Sequence, residues 1–220
     1  MRCSIVLLGM LIATTMVAAQ NSPPVTLQPV TATYPADALS KFRGKENIFV
    51  FLEVDKTGHV KDVDSFGPWL TCGRNDEVAE TLRRVATDAA RNFVFSPAMH
   101  DGKATGGSIA FAFSVEGTQA PPPPVDPKNQ RRGPVVNGVS ISKPQPKYPS
   151  KAHRLGIQGP ATIAVVIHEQ GKPMSARATS GHPLLLASAA EAACNARWTP
   201  TTLAGQPVKV GAEITYNFVP

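Results

Sequence analysis

An internal repeat is the feature that most constrains the fold of this chain. Residues 34–113 and residues 147–218 carry the same series of sequence signals, and both series open on Tyr-Pro, at Tyr34 and Tyr148. A repeated series of this length indicates one supersecondary unit used twice. A unit of this size can bury only a thin core of one or two helices on a small sheet.

The first copy shows its elements through turn residues and apolar spacing. Pro35 suits the first turn of a short helix and Gly44 suits its end. Gly58 lies in a turn between two runs rich in β-branched and aromatic residues, which predicts a hairpin. Apolar residues at three- and four-residue spacing then predict a longer helix. The predicted elements are a helix at 35–43, strands at 48–54, 60–66 and 108–115, and a helix at 76–92.

The second copy repeats these signals, with Gly156 ending its short helix and Gln170-Gly171 forming its turn. The copies differ mainly in an insertion at residues 68–76 of the first. The aromatic residues that follow each long helix, Phe93 and Phe95 or Trp198, are expected to plug the cores, because such rings bury large areas. The predicted elements of the second copy are strands at 162–167, 173–180 and 208–218 and a helix at 183–196.

The predicted fold class is α+β, with two small modules, each an antiparallel sheet of about three strands carrying one or two helices on one face. Pro121 to Pro124 lie between the modules, and proline-rich segments favour extended, semi-rigid conformations. The linker is therefore expected to act as a spacer. The predicted division is a signal peptide at 1–19, a leader without periodicity at 20–33, a first module at 34–117, a Pro-rich linker at 118–143 and a second module at 144–220.

The N-terminus has the pattern of a secretory signal peptide. Arg2 precedes an apolar run at residues 5–13, and small residues at 17–19 precede Gln20. The alternative is an uncleaved membrane anchor, but the apolar run is shorter than the roughly 20 residues that a spanning helix needs. The sequence favours export to the periplasm, with an inner-membrane anchor facing the periplasm as the alternative. Membrane association is expected only if this segment is uncleaved.

Removal of the signal peptide leaves two cysteines, Cys72 and Cys194. An exported protein meets oxidising conditions in which disulfides persist. The two residues can therefore pair in a disulfide between the modules or remain as two free thiols. The sequence does not place their Cβ atoms, so both alternatives stay open.

The composition argues against nucleic-acid binding. The formal net charge is +6, but the basic residues are scattered and form no stripe. Nucleic-acid recognition requires a basic patch or an aromatic platform, and neither is visible. We therefore expect protein partners and no nucleic acid.

The residues also supply no catalytic, metal or cofactor pattern. The five histidines are isolated, and none forms a pair at metal-ligand spacing. Ser140 and Lys143 match a Ser-x-x-Lys pattern, but at the end of the linker rather than at the start of a helix. Asp62 and Asp64 share one face of a strand, where a solvated face is favoured over an acid–base pair. No enzyme activity, cofactor or metal is predicted, and an envelope hydrolase would require a catalytic constellation that these residues do not supply.

Many positions of the second module, in order, resemble the TonB C-terminal domain family. The first module resembles the same family more weakly, since it keeps Tyr34-Pro35, the Gly58 turn, Pro97 and Gly102 but lacks a Gly-Ile-Gln-Gly run. The matching motifs in the second module are Tyr148-Pro149, residues 156–159 (Gly-Ile-Gln-Gly), the Gln170-Gly171 turn, residues 180–184 (Ser-Gly-His-Pro-Leu), residues 198–200 (Trp-Thr-Pro), residues 205–208 (Gly-Gln-Pro-Val) and residues 214–218 (Ile-Thr-Tyr-Asn-Phe).

The resemblance implies a protein-binding function rather than catalysis. TonB proteins link an inner-membrane motor to outer-membrane transporters, and the family's domain binds an extended transporter segment by adding it to a strand edge. Here residues 208–218 would be that edge, and residues 145–149 resemble the contact segment that precedes the domain. A plain turn leading into the domain is the alternative for that segment. The implied partner-binding residues are Gln145, Pro146, Lys147, Tyr148, Pro149, Val210, Glu213, Thr215 and Asn217.

The sequence departs from the family near its N-terminus. Typical members carry an intramembrane His and a long Pro-rich spacer before the domain, whereas residues 5–19 contain no His or charge. The predicted function is therefore that of a periplasmic TonB-family protein that binds envelope or outer-membrane transporter partners by strand addition, associated with TonB-dependent transmembrane transport. An anchored TonB-type energy transducer with an uncleaved N-terminal helix is the alternative.

Cell fractionation combined with N-terminal sequencing checks the signal-peptide prediction. We expect the mature protein to begin at Gln20 and to be in the soluble envelope fraction, because the apolar run is too short to anchor the chain. An intact N-terminus in the membrane fraction would instead support the anchored transducer.

Overall fold

The computed structural model of the chain describes residues 21–42, 44–119 and 138–219. The predicted signal peptide and most of the predicted linker lie outside these ranges. The described residues form two modules, and the sheets with their packed helices confirm the α+β fold class.

The first module is built on a three-stranded antiparallel sheet of order β3-β2-β8, with the long helix α2 on one face. Asp76 begins α2 as its N-cap, and its carboxylate accepts hydrogen bonds from the amides of Val78 and Ala79. In chain order the elements are β1 (Val25–Gln28), α1 (Ala36–Leu39), β2 (Lys45–Val54), β3 (Val60–Phe66), β4 (Leu70–Thr71), α2 (Glu77–Ala90), β5 (Val94–Ser96), β6 (Ala98–His100), β7 (Lys103–Thr105) and β8 (Gly107–Glu116).

The second module repeats this topology with a sheet of order β15-β10-β11, on which α4 packs. The two sheets therefore have the same spatial order of hairpin arms and last strand. The elements are β9 (Ser140–Ser142), α3 (Ser150–Arg154), β10 (Gly159–Ile167), β11 (Pro173–Ser180), α4 (Pro183–Asn195), β12 (Arg197–Trp198), β13 (Thr202–Leu203), β14 (Gln206–Pro207) and β15 (Val210–Phe218).

The hairpin turn of each module is fixed by a glycine. Gly58 and Gly171 have φ values of 88° and 78°, in the region that favours glycine. The carbonyl of each glycine also accepts a hydrogen bond from the segment that follows the long helix. The Phe95 amide donates to the Gly58 carbonyl at 2.9 Å, and the Trp198 amide donates to the Gly171 carbonyl at 3.0 Å. A Cβ at either glycine would collide with the backbone of that chain. Phe95 is buried and Trp198 is half-buried against the cores, which confirms the predicted plugs.

The modules share a core, so the expected spacer arrangement is wrong. Helix α4 packs on β10 and β11 of its own module and on β2 and β3 of the first. Phe51 and Phe66 of the first sheet are buried within the core of the second module. Side chains alternate between the two faces of β2, which explains how this strand contributes to both cores. Ile48, Val50 and Leu52 face α2, whereas Phe51 faces α4 on the opposite side.

The insertion at residues 68–76 completes the sheet of the second module. Its strand β4 pairs antiparallel with β11, which makes a four-stranded sheet of order β15-β10-β11-β4. The Cys72 amide continues the pairing through a 2.9 Å hydrogen bond to the Met174 carbonyl. Cys72 and Cys194 form a disulfide, with their Cα atoms 5.3 Å apart, so the insertion is covalently joined to the end of α4.

Two segments differ from the sequence expectation. The leader, expected to lack periodicity, contains β1, and the end of the linker contains β9. These strands are equivalent, since β1 pairs with β5 after the first long helix and β9 pairs with β12 after the second. Both pairings join distant parts of the chain, which local sequence signals do not report. The helix expected at 35–43 is also shorter, since α1 covers only Ala36–Leu39.

Truncation of Phe51 tests the shared core. Phe51→Ala should lower the free energy of unfolding by about 3–5 kcal/mol, because it removes a fully buried ring between the modules. Phe113→Ala is the matched control, since this ring is only half-buried at the sheet edge, and it should cost less than half as much. Urea unfolding measures both losses. If Phe51→Ala and Phe113→Ala lowered the free energy of unfolding equally, the result would contradict a shared core centred on Phe51.

Candidate functional site

Strand β15 lies at one end of the four-stranded sheet. It pairs with β10 along its whole length, from Val210 opposite Ile167 to Phe218 opposite Gly159. Within the described ranges no strand pairs with its other side. The amides and carbonyls on this side are therefore available to a further strand, except that the Thr215 carbonyl already accepts a hydrogen bond from Lys143.

The side chains of β15 alternate between the core and the outer face of the sheet. Ile214, Tyr216 and Phe218 are buried. Glu213, Thr215 and Asn217, three of the predicted partner-binding residues, are exposed on the opposite face, and the fourth, Val210, is half-buried at the start of the strand. The structure thus places all four predicted residues of this strand on the open edge strand.

The predicted contact segment lies against the C-terminal end of β15. The Tyr148 ring packs edge-on against Phe218, with ring centroids 5.5 Å apart, and its hydroxyl donates to the Ile157 carbonyl at 2.7 Å. The Lys147 carbonyl accepts a hydrogen bond from the Ser188 hydroxyl of α4. These contacts fix the segment, while Gln145 and Lys147 remain exposed and Pro146 and Pro149 are half-buried.

Lys143 adds a further connection between this segment and the edge strand. Its ammonium donates to the Thr215 carbonyl at 3.1 Å and lies 5.1 Å from the centre of the Tyr216 ring. The sequence placed Lys143 at the end of a linker and gave it no role. The predicted segment and the predicted strand are therefore brought together, and Lys143 is a contact that sequence reasoning missed.

The opposite edge of the same sheet is covered over part of its length, at residues 174–176 of β11. Strand β4 covers β11 and is held there by the disulfide between Cys72 and Cys194. Since β4 is only two residues long, it presents almost no edge of its own, which is how many proteins protect a sheet edge. The insertion therefore leaves β15 as the longer uncovered edge of this sheet among the described residues.

A cavity of about 950 Å³ lies beside the outer face of β15. Its floor includes Ala164, Val166 and Glu213 of the second sheet, and its wall includes Phe42 and Trp69 of the first module. Trp69 is held in place because its indole N–H donates to Asp76 at 3.1 Å and its ring packs on Phe42 at 5.4 Å. Sequence reasoning missed this cavity; the aromatic residue inside the insertion was the available signal.

Charged residues of both signs surround the cavity. Arg177 of β11 forms an ion pair with Glu46 of β2 at 3.0 Å, which links the two sheets across the cavity wall. Arg74 and Glu213 also line it, with no ion pair recorded for either within the described residues. A ligand that combined an apolar side chain with neighbouring charges of either sign would match this lining.

An ion cluster holds the short helix α3, which follows the contact segment, against the first module. The Lys151 ammonium lies 2.9 Å from Glu53, 2.7 Å from Asp62 and 2.6 Å from Asp64. Burial lowers the pKa of Lys151, but its hydrogen bonds to the three carboxylates outweigh burial and raise the pKa above its ordinary value. The hydrogen bond from Lys151 is the main reason that the pKa of Asp62 is lowered. Asp62 and Asp64 share a solvated face of β3 as expected, with side chains 54% and 40% exposed, and both also bind Lys151 there.

Burial shifts the pKa values of one histidine and two tyrosines in the two modules. His182 caps α4 by accepting from the Leu184 amide at 3.3 Å, and burial lowers its pKa. Burial raises the pKa of Tyr216, and raises that of Tyr34 in the first module to about 12, so both hydroxyls stay neutral. Within the described residues, no three His, Cys, Asp or Glu side chains come close enough together to hold a metal ion.

The helices of the described residues do not have the properties of membrane spans. None of them combines the length and the apolar character that a bilayer-spanning helix requires.

Comparison with known proteins assigns a family to the second module. Residues 144–220 match the family described as the Gram-negative bacterial TonB protein C-terminal, and this range contains the contact segment, α4 and β15. A second copy of this family in the first module is not shown. No match to the chain is found among the curated proteins. The second module is thus similar to a non-catalytic protein-interaction domain of Gram-negative envelope proteins that take part in energy coupling for transport.

Lys151→Met tests the ion cluster that positions the contact segment. At pH 7 the change should lower stability by about 1–3 kcal/mol, because three carboxylates lose their shared hydrogen-bond donor. The folded-state pKa of Asp62 lies below its unfolded value, so this contribution is present above about pH 4 and is lost as the pH falls through the folded-state pKa.

Urea unfolding of the wild type and of Lys151→Met between pH 2.5 and pH 7 measures this difference. Lys147→Met removes an exposed lysine from the same segment and serves as the control, with little expected effect at any pH. A loss that stayed constant down to pH 2.5 would show that the cluster does not act through its carboxylates.

Proposed function

We propose that this protein works in the periplasm, where it binds an extended segment of an outer-membrane transporter or another envelope protein by strand addition to β15. The observation that carries the proposal is the distribution of edges in the second sheet. Among the described residues no strand pairs with the outer side of β15, although its Thr215 carbonyl is bonded to Lys143, whereas β4 and the Cys72–Cys194 disulfide cover part of the opposite edge. The family match of the same module supports a protein-binding role.

Main-chain hydrogen bonds to β15 supply the affinity in this proposal, and side-chain contacts supply the specificity. A strand added beside β15 directs alternate side chains toward the sheet's outer face. There they meet Glu213 and the cavity walled by Trp69 and Phe42. At the other end of the strand, the exposed Gln145 and Lys147 extend the contact surface.

The first module is, in our proposal, a divergent copy of the second. The shared strand order, the paired turn glycines and the equivalent strands β1 and β9 support this relationship. The insertion in the first module has a separate role. It covers part of one edge of the second sheet and lines the cavity. The two copies therefore form a single binding unit.

A periplasmic location agrees with the chemistry of the chain. A disulfide joins the modules, and such bonds persist in oxidising compartments such as the bacterial periplasm. The predicted signal peptide supports export, and the family of the second module is found in the Gram-negative envelope. The protein is associated with TonB-dependent transport as a recognition component.

Amide hydrogen exchange tests the binding edge directly. A peptide from the periplasmic segment of an outer-membrane transporter should slow exchange at alternate amides of β15, because only the outward-pointing amides gain a new acceptor. The amides of β8 in the other sheet should be unchanged. Protection elsewhere, with β15 unaffected, would place the partner on a different surface.

A proline substitution provides the second test. Thr215→Pro should abolish capture of the same peptide, because proline removes an amide donor from the strand. Ala110→Pro is the matched control, since Ala110 occupies the equivalent exposed position of β8, and it should leave capture intact. Circular dichroism confirms that each variant is folded; persistent capture by a folded Thr215→Pro variant would contradict the proposal.

A further inference from the structure

Strand β8 is a second open edge, and it belongs to the first module. It is ten residues long and pairs with β2 along its whole length, from Gly107 opposite Val54 to Glu116 opposite Lys45. Among the residues that the structure describes, no strand pairs with its other side. The family match does not extend to this strand.

Strand β8 lacks the features that normally protect an edge. Natural edges carry lysines, prolines or bulges that discourage pairing with another chain. The register of β8 with β2 runs without a bulge, and its single charge, Glu116, is at one end. By contrast, β15 has a glutamate on its outer face and Lys143 at its backbone. An edge that is this long, regular and nearly uncharged is a template for a further strand.

The sequence of β8 is symmetric about Phe111. When two such strands are placed antiparallel with Phe111 facing itself, each Ser108 faces Ser114 and each Ala110 faces Ala112. The exposed face of the joined strands between Ser108 and Ser114 then consists of small residues, with Glu116 beyond them at each end. On the other face Ile109 is opposite Phe113. A two-fold axis requires this kind of self-complementarity.

We propose that two copies of this protein pair through β8, antiparallel and centred on Phe111, so that their three-stranded sheets become one continuous sheet. A second copy fits better than an unrelated peptide because residues of matching size and polarity meet on both faces. Charge agrees with this choice, since Glu116 of each copy faces Gly106 of the other and no like charges are opposed.

The aromatic residues of the first module support pairing at this place. The ring centroids of Phe93 and Phe111 are 5.2 Å apart, and those of Phe111 and Phe113 are 5.3 Å apart. This cluster reaches the open edge, where its rings are only half-buried. Pairing adds the same cluster of the second copy across Phe111. Cross-strand aromatic pairs are among the favourable contacts of antiparallel sheets. Because β8 and β15 lie in different sheets, pairing at β8 leaves β15 open.

Sedimentation velocity of the mature protein over a dilution series tests the proposal. We expect a reversible monomer–dimer equilibrium. The double variant Ala110→Lys with Ala112→Lys should weaken it at least about tenfold, because lysines then face each other twice across the axis. The control, Ala36→Lys with Ala104→Lys, adds the same charge at exposed positions outside β8 and should dimerise as the wild type does.

A charge-reversal variant fixes the register. In Ala110→Lys with Ala112→Glu, each introduced lysine faces an introduced glutamate of the other copy only when Phe111 is the centre, so dimerisation should be restored. A shift of two residues in either direction would instead oppose the two introduced lysines or the two introduced glutamates. Thermal unfolding shows that each variant is folded. A monomeric wild type at all concentrations, or a folded double-lysine variant that still dimerises, would overturn the proposal.

Discussion

Helix α4 buries apolar side chains around nearly its whole circumference because a sheet lies on each side of it. Only Ala187, Glu191 and Asn195, which recur at four-residue spacing, form an exposed strip. A helix that is hydrophobic on all sides requires cover on all sides, and one small sheet supplies cover for only one. The first module provides the second cover through Phe51 and Phe66. Small alanines along the helix let both sheets approach closely.

This packing decides which parts of the two sheets remain available to partners. The insertion of the first module reaches the second sheet because α4 holds the modules together, and the disulfide then fixes β4 on β11. The second module is left with β15 as its long open edge, and the first sheet ends in β3 and β8, of which β8 is the longer. The two edges differ in their side chains. The exposed face of β15 is polar and is bordered by a cavity, whereas the exposed face of β8 carries mostly small, uncharged side chains in a self-complementary order.

The sequence was sufficient for the elements of each module because their signals are local. Gly58 and Gly171 marked the turns, Asp76 marked the start of α2, and alternation marked β15 as a strand with an exposed face. The sequence was insufficient for contacts between the modules. Nothing near Lys151 indicated that its ammonium would meet three carboxylates of the other module, and Trp69 had no periodic neighbours to indicate the cavity. The proline-rich linker suggested separation, whereas the composition of α4, apolar around most of its circumference, was the sign of a shared core.

The position of the disulfide determines how the chain would carry a mechanical load. Residues 72 and 194 are 122 positions apart, and the closed loop between them contains β8, the linker and the hairpin of the second module. A force that enters at β15 reaches Cys194 and crosses directly to Cys72, from which it continues toward the N-terminus. The covalent path between β15 and the N-terminal part of the chain therefore bypasses residues 73–193.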